Sequence, residues 1–225
     1  MPGRPDLAAG VAGNLAEVRR RVEAAGGDPE RVTIVAVTKG QPVEACVAAV
    51  ELGLTVLGEN RVQEALGKME GVTGAEWHLV GHLQTNKVRH ASRFALIQSL
   101  DSVRLAGSLA AHESPPVLLE VNVSREQQKH GVAPEMALEV ARQVAERLDL
   151  RGLMAMGPAG RDAGPGFAEL RRLRDEAEQR LGRGLPVLSM GMSDDLEAAV
   201  REGSTMLRLG RALFGERVLS TRKWS

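Results

Sequence analysis

The sequence has 225 residues, long enough to bury one large core, and 43% of them are hydrophobic. Its 29 Lys+Arg balance 29 Asp+Glu, so no global field draws it to nucleic acid or anionic lipid. No apolar run approaches the roughly 18 residues of a membrane span and no basic-then-apolar leader is evident, so the expected setting is the cytoplasm. The single cysteine, Cys46, lies in an Ala/Val-rich helical window and reads as buried packing, and the lack of any tyrosine excludes a catalytic phenol from this chain.

In chain order, Leu7, Val11, Leu15, Val18 and Val22 fall at helical spacing, which predicts an amphipathic helix over 6–25 closed by Gly26-Gly27. Thr33 to Thr38 is an apolar, β-branched run suited to a strand buried on both faces, and Lys39 sits at its carboxyl end. Pro42 opens a helix to about Leu52, ended by Gly53. Thr55–Leu57, Trp77–Val80, Ala95–Ser99, Val117–Val121, Leu153–Met156, Val187–Met190 and Met206–Leu209 are the next seven strands. Helices are expected over 60–69, after Gly81–Lys87, from an Asp101 cap to about His112, and over 134–148, 167–181 and 194–202. Eight strands alternating with helices, with no composition shift, predict one (β/α)8 barrel domain over 1–225 with an extra N-terminal helix.

Alternation along the first strand puts Lys39 on the face of Val37, Val35 and Thr33. If that face lines the barrel, desolvation favours the neutral amine, a nucleophile for carbonyl carbon. A lysine reaching solvent at a strand end is the other reading. The barrel rule places a phosphate site after strands seven and eight. There, Gly191 allows close backbone approach and Ser193 is placed to cap the next helix, while Gly210 is followed by the guanidinium of Arg211. Asp194 and Asp195 would oppose an anion unless they face away. Arg208, mid-strand and buried, needs an acceptor, either a ligand ring nitrogen or an interior carboxylate such as Glu120. His78 and His82 are about 13 Å apart on a strand, too far to share a metal, and no metal is expected. The charges of 169–178 alternate in sign as on a solvated helix face.

Six motifs then carry a resemblance: Ala36-Val37-Thr38-Lys39, Gly58 to Glu64, Trp77 to Lys87, Arg151 to Met156, Gly191 to Asp195 and Leu209 to Gly215. In order and nearly throughout the chain, they resemble the pyridoxal-phosphate (PLP) homeostasis protein family, related to the N-terminal barrel of alanine racemase. The resemblance implies a fold-type III PLP-binding barrel with Lys39 as the Schiff-base lysine. It implies phosphate contacts from Met192, Ser193, Gly210 and Arg211, the last standing where many relatives carry Thr or Ser. It also implies Arg208 at the pyridine nitrogen and Asn60 near the ring. Fold-type III racemases add a second β domain and a tyrosine base, and neither is found in this sequence. The expected function is therefore to hold, buffer and deliver PLP without efficient catalysis, with apo PLP-dependent enzymes as recipients. A low-activity racemase using Lys39 as its single base is the alternative, and a Schiff-base aldolase acting on a phosphorylated sugar is a third reading. A monomer is expected, since no apolar helix face is left over once the barrel is covered.

Overall fold

The computed structural model describes residues 4–215. Eight parallel strands close into a barrel in sequence order: β1 (Thr33–Val37), β2 (Val56–Glu59), β3 (Glu76–Leu79), β4 (Leu96–Leu100), β5 (Val117–Glu120), β6 (Leu150–Met154), β7 (Val187–Ser189) and β8 (Met206–Leu209). Around them run α1 (Arg4–Ala24), α2 (Val43–Glu51), α3 (Val62–Met69), α4 (Val103–Ala110), α5 (Ala137–Ala145), α6 (Gly164–Leu181), α7 (Leu196–Arg201) and α8 (Arg211–Phe214). The ring closes where β1 pairs with β8, with Val35 opposite Arg208. No helix among the described residues is long and apolar enough to cross a membrane.

Strand alternation divides the apolar residues between two cores. Ala36, Leu57, Leu79, Ile97, Leu119, Leu153, Leu188 and Leu207 point outward and join the helices in one continuous cluster. Val35, Leu96, Leu118, Met154 and Met206 fill the barrel interior. On the same inward faces, two residues further along, stand Gln98, Glu120 and Arg208, all buried. The tube thus turns from apolar to polar toward the carboxyl ends of its strands.

Four expectations need correction. Strand six begins at Leu150 and not Leu153, because Gly152 is a point of close strand approach: a Cβ there would lie 1.8 Å from the Val187 carbonyl oxygen. The segment after β3 is a 3-10 helix, Thr85–Arg93, and not an α-helix. Its buried residues Val88 and Ala91, continued by Phe94, recur every third position, the period of that tighter turn. The cap of α4 is Ser102, whose hydroxyl accepts from the Leu105 N–H at 3.3 Å, while Asp101 is engaged elsewhere. Finally, α7 starts after Asp195, so Ser193 does not cap it.

Helix α1 lies across α2, α7 and α8 and bonds to α8, to α7 and to the turn before α7. The Asn14 amide donates to the Leu213 carbonyl at 2.8 Å. Arg21 pairs with Glu197 at 2.6 Å and donates to the Ser193 carbonyl at 3.0 Å.

Candidate functional site

A cleft of about 1030 Å³ opens at the carboxyl ends of the strands, the face on which barrel enzymes build their sites. Lys39, Asn60, Met192, Ser193, Arg208, Gly210 and Arg211 all line it, so seven residues from four strand ends meet in one place. Lys129 and Gln41, which sequence reasoning did not single out, line it as well. Lys129 follows a polar loop with no periodic signal, and its ammonium is held by Glu126 at 2.7 Å and the Gly157 carbonyl at 2.9 Å.

Lys39 follows β1 and is half-buried. Its neighbour Gly40 has φ 73°, a left-handed turn that favours glycine. Asn60 extends β2, and its backbone needs Gly81 beside it, since a Cβ on Gly81 would lie 2.4 Å from the Asn60 carbonyl oxygen.

Arg208 reaches across the barrel interior. Its guanidinium donates to Ser189 Oγ at 2.7 Å and to the Ala155 carbonyl at 2.8 Å. The Ser189 hydroxyl donates to Gln98 Oε1 at 2.7 Å, and the Gln98 amide donates to His78 Nδ1 at 2.9 Å. The described ion pairs do not include one between Arg208 and Glu120. Glu120 acts on Arg208 only through its charge, and burial brings the guanidinium down to about 10, still cationic at neutral pH.

Burial pushes the Glu120 carboxyl up to about 7 and the His78 imidazole down to about 4. The two shifts affect stability with opposite signs. Between pH 4.5 and about 7 the folded state binds more protons at Glu120 than the unfolded state, so this group makes stability fall as pH rises. Between about 4 and 6.5 the folded state binds fewer protons at His78, so this group makes stability rise. Each group contributes about 3 kcal/mol, with opposite signs over the overlapping range. Glu120→Gln is therefore expected to make the unfolding free energy rise by about 3 kcal/mol more than the parent's between pH 4 and 6.5 in urea titrations. A variant whose profile has the same slope as the parent's would contradict the raised carboxyl.

At the turns after β7 and β8, Gly191 has φ 98° and packs so tightly that a Cβ would meet Ala199 at 2.5 Å and Leu207 at 2.6 Å. Its close approach is to α7 and β8, not to the cleft. Ser193 Oγ accepts from the Ala212 N–H at 3.0 Å, tying the two turns together and keeping its own hydrogen to donate. The Met192 N–H donates to Asp195 Oδ1 at 2.5 Å, and Asp194 is paired with Arg211, so neither carboxylate stands bare beside the turn.

Behind β1, Lys68 is fully buried and donates to Glu59 Oε1 at 2.6 Å, Glu64 Oε1 at 2.8 Å and the Thr38 carbonyl at 2.8 Å. Burial disfavours its ammonium, but Glu59 and Glu64 outweigh that and hold it above the usual lysine value. Sequence reasoning missed this group. The available signal was charge at 64 and 68 on the helix face that also carries Val62 and Ala65.

His82, Asp101 and His130 converge from the loops after β3, β4 and β5, with ligand atoms within 4.8 Å of one another. The two imidazoles stack at 4.3 Å, 11° from parallel. Lone pairs lie in the ring planes, so near-parallel stacked rings would have to fan apart to share one ion. As they stand, both rings face Asp101, His82 at 3.0 Å and His130 at 3.7 Å.

The family described as "Alanine racemase, N-terminal domain" matches residues 8–218. The pyridoxal phosphate homeostasis protein of Escherichia coli K12 is 42% identical over 227 residues, covering 92% of this chain and 97% of the relative. The chain belongs to the pyridoxal phosphate homeostasis protein family. PipY of Synechococcus elongatus, solved with PLP bound, superposes with TM-score 0.76 at 33% identity, covering 91% of this chain and all of that one (100%). Alanine racemase from Corynebacterium glutamicum has TM-score 0.74 at 13% identity, over 63% of its length, and shares the fold. Family membership thus agrees with the barrel.

Proposed function

We propose that this protein binds PLP in the cleft with Lys39 on the aldehyde carbon, and holds and releases the cofactor in PLP homeostasis without efficient turnover. The observation that carries this reading is the meeting of the Lys39 amine, the Arg208 guanidinium and the β7 and β8 turns around one opening. That donor set fits PLP group by group. The amine suits an aldehyde, the Ser193 hydroxyl and Gly210 backbone suit a phosphate, and Arg208 suits a ring nitrogen. PLP bound to an amino acid supplies an electron sink whose strength depends on a protonated pyridine nitrogen.

This chain's residues work against that sink. Arg208, already donating to Ser189 and Ala155, stays cationic at neutral pH and presents N–H donors, so it supports an unprotonated ring nitrogen. The 225 residues include no tyrosine to act as an opposing base. The best use of such a site is reversible storage, with apo PLP-dependent enzymes as recipients and a monomeric, cytoplasmic carrier as the acting species.

Two assays on the PLP-loaded protein test this. With L-alanine or L-serine, formation of the D-isomer is expected to stay far below about 1 s⁻¹, the lower end of ordinary enzyme turnover. Mixed with an apo PLP-dependent enzyme, the loaded protein is expected to restore that enzyme's activity. Racemisation at about 1 s⁻¹ or above would make the protein a catalyst and end the carrier reading.

A further inference from the structure

We infer that Lys68, Glu64 and Glu59 form a positioning device for Lys39, clamping the backbone on both sides of it from behind the barrel wall. The inference rests on the reading of Lys39 as the PLP-bonding lysine.

The residue before Lys39 is Thr38. Its carbonyl accepts from Lys68 Nζ at 2.8 Å and from the Gln41 N–H at 2.9 Å, and its hydroxyl donates to Glu59 Oε1 at 2.7 Å. The residue after is Gly40, whose N–H donates to Glu64 Oε1 at 2.5 Å. Lys68 bridges the two carboxylates, so both flanks of Lys39 are tied to one buried ammonium. By strand alternation Thr38 and Glu59 face outward, toward α3, whereas Lys39 follows the inward face of Val35 and Val37. The clamp therefore touches the backbone of Lys39's neighbours and leaves the amine to the cleft.

Stability alone does not explain this arrangement. Lys68 and Glu59 are 0% exposed and Glu64 is 8% exposed, and apolar side chains of similar volume at such sites are commonly as stable or more so. Glu59 Oε2 is buried with no hydrogen-bond partner, a further cost. Such a network gives fixed geometry: three charged groups with short bonds hold a left-handed turn at Gly40 in one conformation. An amine that must reach the face of an aldehyde carbon benefits from that fixity, because a misplacement of about 1 Å costs on the order of 100-fold in well-oriented reactions. The remaining titratable group facing the network is Cys46, whose thiol burial pushes up to about 11, so it stays neutral.

The test uses Lys68→Met and Glu64→Leu in the full-length protein, with two readouts. Amide hydrogen exchange at Gly40, measured without added PLP, is expected to speed up by about tenfold or more relative to amides in β4 and β5. The rate of imine formation with PLP is expected to fall by about tenfold or more, with its pH midpoint displaced. Glu64→Leu carries the test if Lys68→Met does not fold, since Glu64 lies nearer the surface. Unchanged Gly40 exchange overturns the clamp, and so does faster Gly40 exchange with unaltered imine rate and midpoint. If the parent protein forms no imine with PLP while Gly40 exchange responds in the variants, the backbone clamp stands and the PLP reading falls.

Discussion

Lys39→Ala is expected to abolish the yellow imine absorbance that added PLP develops in the parent protein, leaving the spectrum of free PLP. The expected loss is complete because the bond needs an uncharged amine at that position, and alanine supplies no nucleophile. Lys129 lines the same cleft, but its nitrogen is tied to Glu126 at 2.7 Å and to the Gly157 carbonyl at 2.9 Å, which fixes it in place on its own loop. A band that persists unchanged in Lys39→Ala would place the bond on another amine and remove the central residue of the proposed site. Overall folding is expected to survive, since Lys39 is only half-buried and lies two residues beyond the end of β1.

The largest expected effect on stability comes from Gly152→Ala. Gly152 pairs with Val187 where β6 runs beside β7, and a methyl group there would sit 1.8 Å from the Val187 carbonyl oxygen and 2.6 Å from its carbonyl carbon. The obstruction is backbone, so no rotamer change relieves it. The two strands must part, disrupting the β6–β7 ladder that runs from the Gly152–Val187 pair to the Met154–Ser189 pair and opening a closed ring. The expected cost exceeds about 4 kcal/mol, at the extreme of single substitutions. Denaturant unfolding would show either a lowered midpoint or no cooperative transition. A variant within about 1 kcal/mol of the parent would mean that the β6–β7 contact is looser than this geometry.

The same glycine shows where sequence reasoning works and where it stops. Most of the barrel was legible because short β-branched or leucine-rich runs, separated by helical periods, report burial on both faces of a strand. Arg151-Gly152 interrupts such a run, and a glycine needed for close approach looks in sequence like one that ends a strand. Lys39, Ser193, Gly210 and Arg211 stood out at strand ends and glycine turns and Arg208 as a buried mid-strand charge, whereas Asn60 and Met192 were named through the family resemblance alone. The partners of Arg208 were not legible. Ser189 comes to Arg208 from β7, and Gln98 comes to Ser189 from β4, pairings that local pattern does not encode. Asp101 looked like a helix cap because a carboxylate before an apolar run usually is one. Here His82 and His130, arriving from two other loops, occupy it, and Ser102 takes the cap. Lys68 was missed because an isolated helical lysine reads as surface until the two carboxylates that bury it are located in space.

The brace made by α1 bears on how the chain acquires its site. Asn14 reaches Leu213 across 199 residues of sequence, Arg21 reaches Glu197 across 176, and Val35 of β1 pairs with Arg208 of β8. Contacts of such long sequence separation form late, because the closure entropy of the intervening chain must be met before they are rewarded. A nascent polypeptide emerging from the ribosome has Lys39 and the α2 part of the surface for its first helix early, but it lacks the Arg208 guanidinium, the Gly210 turn and the α8 part of that surface until β8 has been made. On the proposed reading of the cleft, ligand capture waits for completion of the ring.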